Sequence, residues 1–348
     1  MKQDNATLTR IFSFILSQEG ITAPIQWINV KGLRDEPGFH WSNPGLKSVS
    51  VTAGNRHFSF VVKRLGKRAK REVLVYRFLS NYEGFPIPRL FHNMYDDDKG
   101  EYWIVTECCI GRPFDRKEQF WEQCGLLLAR IHAAFWDKTD ALPDLFRTEP
   151  PTDRTWTAVK KLIGFLDSLP GEETVALEHV AGPTLSDLRT ALEGVSHERL
   201  PVAPPPANCL IHKSFHPPEI MWRQTDEGYV PVAVDWETAR IGAPQEDFRV
   251  AGQLLAQGED GLVQVLLDSY LDELNTHGIS LSRDHFLIAV RGDAILDQME
   301  TTPWLVSEYL RRRDDKSFAK WCEWVVKEIP RILGYIRCGI EEGELCQG

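Results

Sequence analysis

Imidazole, hydroxyl, ammonium and carboxylate groups crowd one short stretch of this chain, His212-Lys213-Ser214-Phe215-His216-Pro217-Pro218-Glu219, and Asp235-Trp236-Glu237 follows a little further on. Histidine titrates near neutral pH, and His216 stands two residues beyond Ser214, which makes it a candidate proton acceptor for a substrate hydroxyl. The carboxylates are hard oxygen donors. His212 and His216 are four apart, but Pro217 and Pro218 argue against the helix that a zinc-binding pair at that spacing needs.

The elements that must position such groups follow from periodicity. In His57-Phe58-Ser59-Phe60-Val61-Val62-Lys63, alternation puts Phe58, Phe60 and Val62 on one face and Ser59, Val61 and Lys63 on the other. Lys63 therefore ends a strand and faces away from the aromatics. A helix is expected over 67–80, with Glu72 in phase with Ala69, Val75, Tyr76 and Leu79 on its inward stripe, where a carboxylate needs a cationic partner. The plainer reading makes Lys63 and Glu72 solvated neighbours of the basic run Arg64, Lys67, Arg68, Lys70 and Arg71. Asp235 is expected to end the strand of Val230, Val232 and Val234, with its side chain on the opposite face.

Around these, an amphipathic helix is predicted before Gly20, then a small antiparallel sheet over about 25–65 with a loop, Gly32 to Trp41, between its first strands. Asp96, Asp97 and Asp98 mark a solvated turn before β character resumes at 102–107. Helices are expected over 117–136, 156–169 and 185–195, a boundary at Pro201, Pro204, Pro205 and Pro206, and helical periodicity almost to Cys338, punctuated at Gly258, Gly278, Pro303 and Pro330.

A chain of 348 residues exceeds what one core usually organises, so two lobes are expected. With 43% hydrophobic and 26% charged residues it reads as an ordinary globular protein, and a net charge of −10 argues against a broad nucleic-acid interface. Cys108, Cys109, Cys124, Cys209, Cys322, Cys338 and Cys346 are odd in number and scattered, which points to a reducing cytoplasm rather than a disulfide framework or zinc site. The first residues show helix spacing, not a secretory core, so neither signal peptide nor membrane span is expected.

Three stretches together resemble the aminoglycoside phosphotransferase and choline kinase group, a small-molecule branch of the protein-kinase-like fold. They are Cys209-Leu210-Ile211-His212 through Trp222, Val232-Ala233-Val234-Asp235-Trp236-Glu237, and Gly242-Ala243-Pro244-Gln245-Glu246-Asp247. The family pattern is His-Gly-Asp-x-x-x-x-Asn, Asp-Trp/Phe-Glu and Gly-x-Pro-x-x-Asp. The resemblance implies an α+β, bilobal fold: a small antiparallel sheet and helix over 1–107 that bind nucleotide, and a mainly helical lobe over 108–348 with the catalytic loop and substrate helices. It makes Lys63 the lysine that grips the α- and β-phosphates and Glu72 the carboxylate that orients it. Val61 would pack on the base, and Glu107 to Cys109 would be the hinge whose backbone meets the adenine edge. Cys108 and Cys109 read otherwise as two buried small hydrophobes. Asp235 takes the place of the main magnesium ligand, while His212 and Asp247 shape and brace the loop.

The chain departs from the pattern in three places: Ser214 stands where the family keeps its proton-accepting aspartate, Glu219 where it keeps a metal-binding asparagine, and Lys213 where it keeps glycine. Glu219 can still donate oxygen to a metal, and Lys213 adds positive charge for the transferred group. The implied activity is transfer of a phosphoryl group from ATP, or another nucleoside triphosphate, with magnesium, to a hydroxyl of a small molecule or peptide. The alternative is a pseudokinase that binds nucleotide, peptide or a partner protein without turnover. Substrate choice falls to helices over about 150–200 and 260–340, where Trp304, Trp321 and Trp324 either line a pocket or pack helices together.

Overall fold

The computed structural model describes residues 2–32, 46–65, 70–96, 101–111, 113–147, 154–169, 190, 192–193, 207–256 and 258–312. The expected covering loop from Leu33 to Trp41, Lys67, Arg68, Asp97, Asp98, nearly all of the helix over 185–195, the prolines at 201–206, Trp321, Trp324, Pro330 and the last three cysteines lie outside the described residues.

The N-terminal part is an antiparallel sheet of five strands, β1 Ile25–Gly32, β2 Leu46–Ala53, β3 Arg56–Leu65, β4 Leu90–Asp96 and β5 Glu101–Glu107, in the order β1-β2-β3-β5-β4. Alternation in β3 sorts the two faces. Phe60 and Val62 are buried with Val49, Val51 and Val105 beneath helix α1, Lys2–Gln18, whose Leu8, Ile11, Phe12, Ile15 and Leu16 cover that face. The rings of Phe12 and Phe60 lie 4.9 Å apart, and fully burying each is worth roughly 2 kcal/mol. This helix leaves Val61 and Lys63, which pair with Thr106 and Ile104 of β5, on the opposite side of the sheet. Helix α2, Lys70–Leu79, follows β3 and buries Glu72, Val73, Val75, Tyr76 and Leu79.

Beyond β5 the chain is mostly helical. Helix α3, Lys117–Ala134, packs along a later helix so closely that a Cβ on Gly125 would stand 2.1 Å from Ser269 Oγ and 2.5 Å from the Leu266 carbonyl oxygen. Helix α4 is Arg154–Ser168. Two small two-stranded ladders then carry the reactive loop: β6, Cys209–Ile211, pairs with β9, Arg240–Gly242, and β7, Ile220–Thr225, pairs with β8, Gly228–Ala233. Helices α5, Arg249–Ala256, α6, Asp260–Thr276, and α7, Arg283–Arg312, complete the described chain. Trp222, Trp236, Phe135, Phe248 and Tyr270 centre a core shared by α2, α3, α6 and these ladders.

Two boundaries differ from the periodicity. Helix α7 runs through Pro303 instead of breaking there, since Met299 and Thr302 on the preceding turn are buried and hold it despite the missing N–H. Strand β8 stops at Ala233, so Asp235 is not a strand residue: it adopts the left-handed conformation, φ 66° and ψ 54°. Its direction therefore comes from a turn, not from alternation, and aspartate is among the few side chains that tolerate that turn.

Candidate active site

Lys63 is the meeting point. Its Nζ lies 2.8 Å from Glu72 Oε1 and 2.6 Å from Asp235 Oδ1, joining the sheet, α2 and the turn after β8. Glu72 is fully buried, and its Oε2 has no hydrogen-bond partner among the described residues. Burial pushes its carboxyl up to about 7, and the pull of Lys63 offsets this only in part. Burial also works against the Lys63 charge, but the Glu72 and Asp235 carboxylates outweigh it and hold the ammonium above its ordinary value. One turn along α2, Tyr76 is fully buried, and that burial, with the Glu72 and Asp235 carboxylates, pushes its phenol well above its ordinary value.

The Asp-Trp-Glu turn brings a third carboxylate to the same place. Oxygens of Glu72, Asp235 and Glu237 all lie within 4.8 Å of one another, with Glu237 exposed. Hard donors at that spacing suit a divalent cation. Glu237 carried no assigned role in the sequence, although the motif Asp235-Trp236-Glu237 contains it.

The reactive loop is held from below by Asp247. Its Oδ2 accepts from the His212 N–H at 2.7 Å and its Oδ1 from the Lys213 N–H at 2.6 Å, while buried His132 of α3 donates through Nε2 at 3.1 Å. His132 Nδ1 in turn lies 2.9 Å from the Tyr270 hydroxyl of α6. Burial opposes the Asp247 charge, yet the hydrogen bond and charge of His132 with the His212 contacts bring its carboxyl below the usual range. The ring of His212 donates from Nε2 to the Val234 carbonyl at 2.8 Å and stacks edge-on against Trp236, and its burial pushes its pKa down. His212 thus shapes the loop.

Lys213 takes the left-handed conformation, φ 68°, in the position where the resembling family keeps glycine. That turn directs its ammonium to Glu246, 3.0 Å away, which also receives Arg240. That ion pair ties the Lys213 side chain to the segment after β9. Ser214 is half-buried. His216 Nε2 lies 2.9 Å from Glu219 Oε2, so the candidate proton acceptor and the candidate metal ligand touch each other. The Glu219 carbonyl accepts from the Val234 N–H at 2.9 Å, which sets its backbone beside that of Asp235.

At the edge of the sheet, the Glu107 carboxylate is a brace: Oε1 accepts from Arg223 Nε at 2.7 Å and from the Arg89 N–H at 3.0 Å. Ile110 exchanges both backbone hydrogen bonds with Trp222, each 2.9 Å, tying the connection after β5 to β7. Cys109 is buried, and that burial, with Glu107 nearby, raises its thiol. Val61 is half-buried on the same face of β3 as Lys63.

A family model described as the phosphotransferase enzyme family matches residues 45–279, more than half of the chain. The chain belongs to this family. Solved phosphotransferases share the fold at low identity. An aminoglycoside phosphotransferase from Alicyclobacillus acidocaldarius is 16% identical, with 91% of this chain and 93% of that chain covered and a TM-score of 0.51. A choline kinase from Streptococcus pneumoniae is 15% identical over 94% of this chain and 98% of that one, TM-score 0.52. An ethanolamine kinase from Plasmodium vivax is 10% identical over 88% and 81%, TM-score 0.54. No curated protein matches the sequence. The fold class is therefore that of the kinase-like phosphotransferases, and no helix among the described residues is long and apolar enough to cross a membrane.

Proposed function

We propose that this member of the phosphotransferase family moves the γ-phosphoryl group of ATP to a hydroxyl of a small molecule or peptide. The observation that carries the reading is Lys63 bridging Glu72 and Asp235 at 2.8 and 2.6 Å. A lysine held between two carboxylates from different parts of the fold is already aimed to meet phosphate oxygens. Val61 supports the base from β3, and the backbone from Glu107 to Cys109 faces its edge. Nucleic acid has no place in this reading, given the net charge of −10.

The donor set fits magnesium. Asp235 and Glu237 present carboxylate oxygens within 4.8 Å of one another, and the Glu219 backbone is bonded next to Asp235 through Val234. Asp235 and Glu219, joined by Glu237, would hold the ion, whose positive charge would offset that of the nucleotide phosphates. The chain's own groups do the rest. Lys63 binds phosphate oxygens, Glu72 keeps it oriented, and the braced loop presents Ser214 and His216 to the acceptor hydroxyl. His216, whose Nε2 lies 2.9 Å from Glu219 Oε2, takes the proton in place of the missing aspartate. Lys213 serves the loop through Glu246. Because transfer depends mainly on positioning and charge neutralisation, a base less well placed than the family's aspartate slows the step, by at most the factor of about 10² to 10⁴ that a general base supplies, and does not abolish it.

The test is incubation of the protein with magnesium, ATP and a panel of hydroxyl compounds that includes aminoglycosides, choline and ethanolamine. Phosphorylated product is expected from the wild type and not from Asp235→Ala. Product that persists in Asp235→Ala refutes the role of Asp235, and tight nucleotide binding with no turnover on any acceptor would favour a pseudokinase.

A further inference from the structure

One arginine in the basic run next to Glu72 is anchored to the fold by its side chain. Arg71, half-buried on α2, donates from Nε to the Glu237 carbonyl at 3.0 Å, from Nη1 to the Leu145 carbonyl and from Nη2 to the Ala239 carbonyl. These carbonyls belong to two separate segments: the turn after Asp235, and the turn Asp144–Phe146 that follows α3. A guanidinium presents its donors in a fixed planar fork, so three such bonds set orientation as well as distance. No ammonium could satisfy all three carbonyls with the same geometry.

Position along the chain gives the fork its consequence. Arg71 immediately precedes Glu72, and Glu237 and Ala239 lie two and four residues after Asp235. One side chain thus ties the backbone of the residue before one Lys63 partner to the backbone just after the other. The relation between Glu72 and Asp235 is therefore set largely through α2's grip on the Asp-Trp-Glu turn.

We propose that Arg71 is a positioning residue that locks α2 onto the Asp235 turn, so that Glu72 and Asp235 are held together on Lys63 before any nucleotide arrives. This rests on the phosphotransferase reading for its functional meaning, since the pair so held is the one that would receive the nucleotide phosphates. Arg71 touches neither nucleotide nor acceptor in this reading.

The experiment compares full-length wild type, Arg71→Met, Arg71→Lys, Glu72→Gln and the Arg71→Met/Glu72→Gln double variant. Magnesium-ADP affinity is measured by titration calorimetry and α2 amide exchange by mass spectrometry. Arg71→Met is expected to weaken magnesium-ADP binding by about tenfold, the scale of one lost charge-assisted anchor. It is also expected to speed exchange in α2 but not in β1 and β2. Arg71→Lys, which keeps the charge and one or two of the bonds, should recover part of both effects. In the double variant Arg71→Met should add little, because the carboxylate it places is already gone. Wild-type affinity together with wild-type α2 exchange in Arg71→Met overturns the lock, as does full additivity with Glu72→Gln. Should wild type fail to bind magnesium-ADP, the phosphotransferase reading falls and the lock is decided by α2 exchange alone. Should Arg71→Met fail to fold, Arg71→Lys decides: unchanged affinity and exchange there refute a geometry that depends on the guanidinium fork.

Discussion

Asp247 carries more of the loop's geometry than any residue that faces the candidate site, and Asp247→Asn is the sharpest test of that claim. The carboxylate is fully buried and accepts from the His212 N–H, the Lys213 N–H and His132 Nε2 at 2.7, 2.6 and 3.1 Å. Asparagine keeps one acceptor oxygen and turns an NH₂ group toward one of these donors. One buried N–H left without an acceptor costs about 1–3 kcal/mol, and the loss of charge on the remaining bonds adds about 1 kcal/mol more. The expected destabilisation is about 3 kcal/mol, measured by urea unfolding at pH 7 with tryptophan fluorescence. Asp247→Ala, which abandons every donor, should cost about 4 kcal/mol or more. The pH profile gives a second reading of the same residue. The folded carboxyl titrates below its ordinary value, so its contribution is present above the unfolded value near 4 and is lost as pH falls through the folded one. The stability gap between wild type and Asp247→Asn should therefore narrow as pH drops below about 4. A gap under about 1 kcal/mol at pH 7, or one that widens toward acid, would refute the assignment of Asp247 as the loop's charged brace.

Two further perturbations probe other parts of the fold. Gly125→Ala places a methyl group 2.5 Å from the Leu266 carbonyl, a backbone atom that cannot rotate away, so α3 and α6 must separate at a cost of about 1–3 kcal/mol in thermal or urea unfolding; a change under 0.5 kcal/mol would show that the helices slide freely. Ser214→Asp restores the carboxylate that the family pattern keeps and should raise turnover on a true acceptor by about 10²-fold or more with little change in nucleotide KM, measured by steady-state kinetics. Unchanged or lower turnover would mean that the proton already has an adequate route, through His216 or the acceptor itself.

Some of this was legible in the sequence, and the reason lies in range. Lys63 and Glu72 are nine residues apart on adjoining elements, and strand alternation and helix phase turned both inward without any long-range information. The Lys63–Asp235 contact spans 172 positions and could be expected only through a motif resemblance. Alternation failed at Asp235 because the residue leaves the strand for a left-handed turn, and local propensity does not announce a turn that tertiary packing imposes. Lys213 is a related case: its charge is visible in the sequence, but the positive φ that swings its ammonium to Glu246 is not. His132 looked like any inward position of an amphipathic helix, and Arg71 like one more member of a basic run. Their partners are a carboxylate 115 residues away and three backbone carbonyls, and carbonyls have no letter in the sequence.

The same contacts explain why one missing aspartate need not undo the site. Asp235 sits in a conformation that costs about 1 kcal/mol per residue and must be held there. It is held on both sides: His212 bonds the Val234 carbonyl before it, and Arg71 bonds the Glu237 and Ala239 carbonyls after it. None of these anchors passes through position 214. The loop that carries Ser214 is likewise fastened through the backbone of His212 and Lys213 to Asp247, contacts indifferent to the side chain that follows. Serine at position 214 thus takes away the family's proton acceptor without taking away a strut. For a reaction whose barrier yields chiefly to positioning and charge, such a loss is a matter of rate, which is why the Ser214→Asp comparison is read in turnover and not in binding.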